Sequence, residues 1–119
     1  MATNREVTLD IRKGGTLRKP YTYKAGTPAA AVDLTGYTAR MQIRSDIDSA
    51  TVLKELTTEN GGIALGGIAG TIEFYISATD TAAFDFTTAV YDLELIAPIT
   101  GDVKNLFGGM VILHKEVTR

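Results

Sequence analysis

Hydrophobic and polar positions alternate along much of this chain with a period of two. Tyr37, Ala39, Met41 and Ile43 interleave with Thr38, Arg40, Gln42 and Arg44, and Ile72, Phe74 and Ile76 with Thr71, Glu73, Tyr75 and Ser77. Tyr91, Leu93 and Leu95 share one side of a further segment whose other side carries Asp92 and Glu94. Successive side chains of a strand point to opposite faces of a sheet, so this alternation predicts half-buried β-strands.

Val7, Leu9 and Ile11 place a first strand over Arg5 to Arg12, and Lys13-Gly14-Gly15-Thr16 turns into a second over Leu17 to Lys24. Pro20 puts that second strand at an edge or a bulge. The two form a hairpin or are split between sheets. Ala25-Gly26-Thr27-Pro28 breaks the pattern, and Ala29 to Val32 reads as a small-residue linker. Asp33-Leu34-Thr35-Gly36 is a turn in which Asp33 accepts backbone N–H groups before the Tyr37–Arg44 strand. Further strands are expected over Thr51–Leu56, Ile63–Leu65, Thr71–Ser77, Ala89–Ile96, Val103–Phe107 and Met110–Leu113. The last is apolar on both faces, as in a central strand covered from both sides or packed on a partner. Ser77 to Phe84 is the one candidate helix, with Ser77 or Thr79 as its cap, and is a short crossover of about one or two turns. About eight or nine short strands with turn residues between them predict one all-β domain: an antiparallel β-sandwich, Ig-like or Greek-key or jelly-roll-like, over residues 7–119. Residues 1–6 form an N-terminal arm with little apolar surface to bury, expected to dock on a neighbour.

A length of 119 residues suits a single core, and 45% hydrophobic with 22% charged residues is ordinary for a globular protein. The formal net charge of -2 gives no general electrostatic case for nucleic acid or an anionic membrane. The first 24 residues nevertheless hold Arg5, Arg12, Lys13, Arg18, Lys19 and Lys24 against Glu6 and Asp10, either a face for an acidic partner or a solvated one. With no cysteine there is no disulfide, thiolate metal site or cysteine nucleophile. The polar MATNREVTLD start lacks the apolar segment of a signal peptide, and no apolar run reaches the roughly 18 residues of a membrane helix, so synthesis in the cytoplasm is expected.

Convergent chemistry is sparse. His114, the one histidine, stands beside Lys115 and Glu116 as a strand-face residue near a sheet edge, without a second ligand beside it. Asp46-Ile47-Asp48-Ser49 has the alternate acids of a calcium loop but lacks its central glycine and closing glutamate, so it reads as a solvated loop. Glu73, Asp92 and Glu94 face outward by the alternation, where acids discourage edge pairing. The glycines at 61, 62, 66 and 67 precede a strand and not the helix of a phosphate loop, which makes them turn residues. No cofactor or metal is expected. Tyr21, Tyr23 and Tyr75 would have to share one face to bind a glycan. Tyr91, at the start of a core strand after the crossover, has the position of a tyrosine corner: a buried ring whose hydroxyl bonds a backbone carbonyl.

Three stretches carry a resemblance. Residues 31–44, including Asp33-Leu34-Thr35-Gly36 and the strand it feeds, residues 70–81 from Gly70-Thr71-Ile72, and Val90-Tyr91-Asp92-Leu93-Glu94-Leu95 resemble small β-sandwich virion structural proteins of tailed bacteriophages and prophages. The attachment domain at the start of upper baseplate proteins is one such relative. The resemblance follows the family order across nearly the whole chain after about Val7, on turn-and-strand patterns and not on catalytic signatures. It implies a non-enzymatic virion subunit in a tail, baseplate or head–tail adapter, bound to other phage structural proteins and to copies of itself in a symmetric assembly. No nucleic acid, membrane or small-molecule substrate is implied. The other expectations are a capsid decoration protein and a carbohydrate- or ligand-binding sandwich. Where family members often have a Pro- or Gly-containing turn before the "YDLEL" strand, this chain has Phe84-Asp85-Phe86-Thr87-Thr88. Phe84 and Phe86 are either an exposed contact for a neighbour or a plug for the end of the sandwich. Candidate partner contacts are thus Arg5, Arg12, Lys13, Arg18, Lys19, Phe84 and Phe86, with Asp33, Gly36 and Tyr91 in structural roles.

Overall fold

The structure, a computed structural model, describes residues 5–115, with Arg5 through its backbone alone. Two sheets face each other. The larger, six-stranded sheet holds β1 (Arg5–Glu6), β2 (Leu9–Arg12), β6 (Thr38–Arg44), β7 (Val52–Thr57), β10 (Thr88–Ile96) and β11 (Val103–His114). Its order is β7-β6-β10-β11, with β1 and β2 both against the far side of β11. The smaller sheet is β3 (Leu17–Thr22), β9 (Thr71–Ile76) and β8 (Ile63–Leu65), in the order β3-β9-β8. In an immunoglobulin variable-type sandwich, β11, β10, β6 and β7 take the places of G, F, C and C′, and β3, β9 and β8 those of B, E and D. The fold is therefore the all-β sandwich that the alternation predicts.

Alternation also fills the interior. Met41, Ile43, Leu93 and Leu95 from the large sheet and Ile72, Phe74 and Ile76 from the small one are buried, as are Leu9, Ile11 and Val111. Phe74 sits at the centre, its ring 5.4 Å from Tyr21 and 6.3 Å from both Tyr91 and Phe107, in edge-on or tilted arrangements. Such pairs add about 0.5–1.5 kcal/mol each beyond the area they bury.

Of the two arrangements open to β2 and β3, the structure has the split one, β2 on β11 and β3 on β9. Several other expectations are corrected. The sandwich is not wholly antiparallel, because β1 and β2 run parallel to β11. The expected single strand over Arg5 to Arg12 is interrupted at Val7–Thr8, yet its register is unbroken: Arg5 pairs Phe107, Glu6 pairs Gly108 and Leu9 pairs Val111. Val103–Phe107 and Met110–Leu113 are one strand, β11, running through Gly108 and Gly109. Its outer face is open: Met110 is 49% exposed, while Val111 and Leu113 are buried. The linker at Ala29–Val32 contains a strand, since β4 (Lys24–Ala25) and β5 (Ala30–Ala31) pair as a separate two-stranded hairpin.

The crossover helix α1 spans Ala78–Ala82 and is capped by Ser77, whose hydroxyl accepts from the Asp80 N–H at 3.2 Å. Thr81, the one fully buried polar side chain among the described residues, ties α1 to the β2–β3 turn. Its hydroxyl accepts from the Gly14 N–H at 3.1 Å and donates to the Gly15 carbonyl at 2.8 Å.

Candidate interaction surface

Asp33 and Gly36 lie in the turn before β6, and Tyr91 lies in β10. Asp33 accepts from the Thr35 N–H at 2.9 Å and from its hydroxyl at 2.6 Å, and these bonds hold its carboxyl below the ordinary aspartate value. Gly36 has φ +81°, and a Cβ there would press on Pro98 at 3.2 Å, so the turn requires glycine. The Tyr91 hydroxyl donates to the Val7 carbonyl at 2.6 Å. This is a tyrosine-to-backbone bond, but to the N-terminal strand 84 residues away and not to its own corner. It coincides with the interruption of that strand, where Val7 also lies so close to Gly109 that a Cβ would meet its carbonyl oxygen at 2.9 Å. Burial raises the Tyr91 pKa, with the charge and hydroxyl of nearby Tyr21 adding to it. The Tyr21 hydroxyl is buried beside it with no hydrogen-bond partner of good geometry.

The candidate contact residues do not form one patch. Arg12 is exposed on β2 and Lys13 half-buried in the turn that follows. Arg18 stacks on Tyr75, 4.6 Å from the ring centroid, and lies 3.9 Å from Glu73, on the outside of the small sheet. Lys19 pairs across from buried Phe74, at the inner rim of the same sheet. Arg5 is placed by its backbone pairing with Phe107. As for the arm, Glu6 likewise pairs on the chain's own sheet, with Gly108, and residues 1–4 lie outside the described residues. Phe84 is corrected: at 8% exposure it belongs to the core and offers a partner nothing. Phe86, half-buried, packs on it with ring centroids 5.1 Å apart, so the pair plugs the end of the sandwich. Two aromatic rings in one crossover gain more by covering the core end than by facing water.

Polar groups serve architecture. The His114 imidazole is 2.9 Å from the exposed Asp10 carboxylate on the adjacent strand. Asp46 accepts from the Asp48 N–H within its own loop. Arg40 and Glu94 pair at 2.7 Å across β6 and β10, and Gln42 donates to Glu55 across β6 and β7. Among the described residues no three His, Cys, Asp or Glu side chains gather as metal ligands would. The three tyrosines also part company: Tyr21 is in the aromatic core, Tyr75 under Arg18, and Tyr23 under Lys104.

The edges of the two facing sheets are blunted. β3 carries Pro20, with no N–H to offer, and the inward-side Lys19; β8 is three residues long; the β1–β2 edge breaks at Val7–Thr8. On β7, Lys54 lies opposite Ile43 and so points to the core side, where Asp80 of α1 holds its ammonium at 2.7 Å. A passing strand finds little to pair with.

What sequence reading missed is apolar surface at the two ends of the large sheet. At one end, Ile99 is 95% exposed in the β10–β11 turn and Ile68 77% exposed in the 3-10 turn Gly67–Ala69, with Val103 close by. They border the base of the β4–β5 hairpin, where the Val32 N–H donates to the Tyr23 carbonyl and the Tyr23 N–H to the Gly70 carbonyl. At the other end, Ile47, 86% exposed in the β6–β7 loop, stands with Met110 and Val90 around an open groove of about 440 Å³ on the outer face. A signal was present: an isoleucine at the centre of a polar turn, as in Asp46-Ile47-Asp48 and Pro98-Ile99-Thr100, cannot be a core residue of either flanking strand. No family model matches this chain, and no curated protein is significantly similar to it.

Proposed function

We propose that this immunoglobulin-like sandwich is a non-enzymatic structural subunit of a tailed-phage virion, at the tail, baseplate or head–tail junction, working through protein–protein contacts. The observation that carries the reading is the exposed isoleucine at each end of a domain whose polar side chains are engaged in turns, caps and cross-strand pairs. Exposed apolar side chains that gather, as Ile47, Val90 and Met110 do around the groove, mark a surface that a neighbour covers. The likeness of the turn-and-strand stretches to virion sandwiches supplies the setting. Blunted edges direct the contacts to the ends and the outer face. A glycan-binding module is less well supported, since Tyr21, Tyr23 and Tyr75 do not share a face.

Gold-labelled antibody against the chain, applied to phage particles and viewed by electron microscopy, tests the reading. Label at the tail tip or the head–tail junction is the expected result. Label spread over the head would make the chain a capsid decoration protein. Absence of label from intact particles, with the epitope shown to be accessible, would overturn the virion assignment.

A further inference from the structure

The two apolar ends differ in shape. Residues 24–31 are all exposed, and their two strands pair with each other and with no other strand. They project as a hairpin of small side chains, with three alanines at 29–31. A two-stranded hairpin is marginal in water without something to pack on. The groove at the opposite end is concave and lies on the outer face of β6, β10 and β11. Its floor is Gly108, which pairs with Asp92 and shows no side chain; a Cβ there would come within 2.5 Å of the Tyr91 carbonyl oxygen. Its walls are Ile47, Val90 and Met110. Along β10, Val90 beside the groove and Ile96 at the hairpin end are six residues apart, roughly 20 Å at about 3.4 Å per residue.

Charge distinguishes the ends as well. The hairpin itself contains Lys24 and no acidic residue; at its base Lys104 stands over Tyr23 with Asp102 beside it. The groove is rimmed by Glu6, Asp92 and Arg44. Two carboxylates against one guanidinium leave the rim with a net negative charge, and Arg44 is held in place by the Ser49 carbonyl and the Gln42 side chain, each at 2.7 Å. A projection and a groove, both apolar and of opposite charge, at opposite ends of one chain fit a second copy of that chain. Two unlike surfaces that meet generate a heterologous contact, which closes into a ring or continues as a stack.

We propose that the chain associates head to tail, the Lys24–Ala31 hairpin of one copy seating over Gly108 in the groove of the next. The inference deepens the assembly reading above and rests on it for its setting. It is nevertheless tested on the purified chain alone.

The absence of cysteine makes the test direct. Ala30→Cys places a thiol on the hairpin and Met110→Cys one on the groove wall, both at exposed positions. The two variants, distinguished by mass, are treated separately and mixed with a short bismaleimide. Dimers joining Ala30→Cys to Met110→Cys should dominate the mixture, and a chain carrying both substitutions should give a ladder of higher oligomers. Dimers of Ala30→Cys with itself as the main product would mean a two-fold contact and would overturn the proposal. So would absence of cross-linking at concentrations up to those used for structural work. As a second measurement, Lys24→Glu and Asp92→Lys should each weaken association by about tenfold or more, and the two together should restore it. Weakening by either change without recovery in the pair would break the assigned contact. Gold label on particles is independent of both results, so self-association and virion location fail separately.

Discussion

Two peripheral segments of similar length, Arg5–Arg12 and Lys24–Ala31, are both built from two short strands, and their fates are opposite. The first is sealed into the molecule. Leu9 and Ile11 are buried completely, the Val7 carbonyl accepts the Tyr91 hydroxyl, and the Val7 N–H bonds the Gly108 carbonyl at 2.8 Å. The second pairs only with itself, and all its side chains are exposed. Backbone pairing is present in both, so pairing does not decide which segment belongs to the core. Burial does: each fully covered aliphatic side chain contributes about 1.5–3 kcal/mol, and a solvated ladder far less.

The sharpest way to break the comparison is to empty the first segment. Ile11→Ala should cost about 2–5 kcal/mol, because Ile11 is 0% exposed between the sheets and its removal leaves a cavity. The urea midpoint should fall accordingly, with an unchanged slope. A loss under about 1 kcal/mol would mean that the N-terminal strand adds little to the core.

Next in size is the hydroxyl pair beneath Val7. Tyr91→Phe removes the one side-chain donor to the Val7 carbonyl and should destabilise by about 1–3 kcal/mol. Tyr21→Phe deletes a buried hydroxyl without a partner and should be neutral or slightly stabilising. Equal losses in the two variants would place the bond elsewhere.

The same hydroxyls set an alkaline limit. Burial, with Tyr21 adding to it, raises the Tyr91 pKa above its ordinary 10.0, and burial raises that of Tyr21. The unfolded chain therefore loses these protons first, and stability held below that value falls as the pH rises past it. Urea midpoints at about pH 8 and about pH 11 should differ more for the wild type than for Tyr91→Phe. On the acid side the sign reverses. The Lys54 hydrogen bond and charge lower the Asp80 pKa from 3.8, so its contribution is present above that value and lost as the pH falls through the folded-state pKa. Lys54→Met should return the Asp80 titration towards 3.8, read from its carboxyl carbon shift by NMR.

Which of these features could be read from the sequence follows from how local each one is. Asp33 with Thr35, the Ser77 cap and the Pro20 edge depend on residues within a few positions of one another, and their composition announces them. The alternation of β6, β9 and β10 required nothing beyond period two. The partner of Tyr91 was hidden because a carbonyl has no sequence signature, and Val7 is brought there by parallel pairing with the last strand. Thr81 was hidden likewise, since the Gly14 and Gly15 backbone atoms that satisfy it arrive from the far side of the sandwich. Phe84 was ambiguous because two phenylalanines beside a crossover satisfy either an exposed contact or a plug, and packing alone separates them. The β4–β5 hairpin left almost no trace. Alanine and glycine weaken a strand pattern, and the pair is defined by four residues.

The smallest expected effect on stability belongs to that hairpin, and it is the one that sharpens the comparison most. Replacing residues 25–30 by two glycines keeps Tyr23 and Val32, whose backbone bond closes the base at 2.9 Å. No buried side chain is lost, so the melting behaviour should match the wild type within about 0.5 kcal/mol. Association measured by light scattering should disappear in the same sample. The opposite pattern, a clear loss of stability with association intact, would make the hairpin a part of the fold and move the contact elsewhere. An element that costs entropy to order and returns nothing to its own core persists in a folded chain where a neighbour supplies the missing burial.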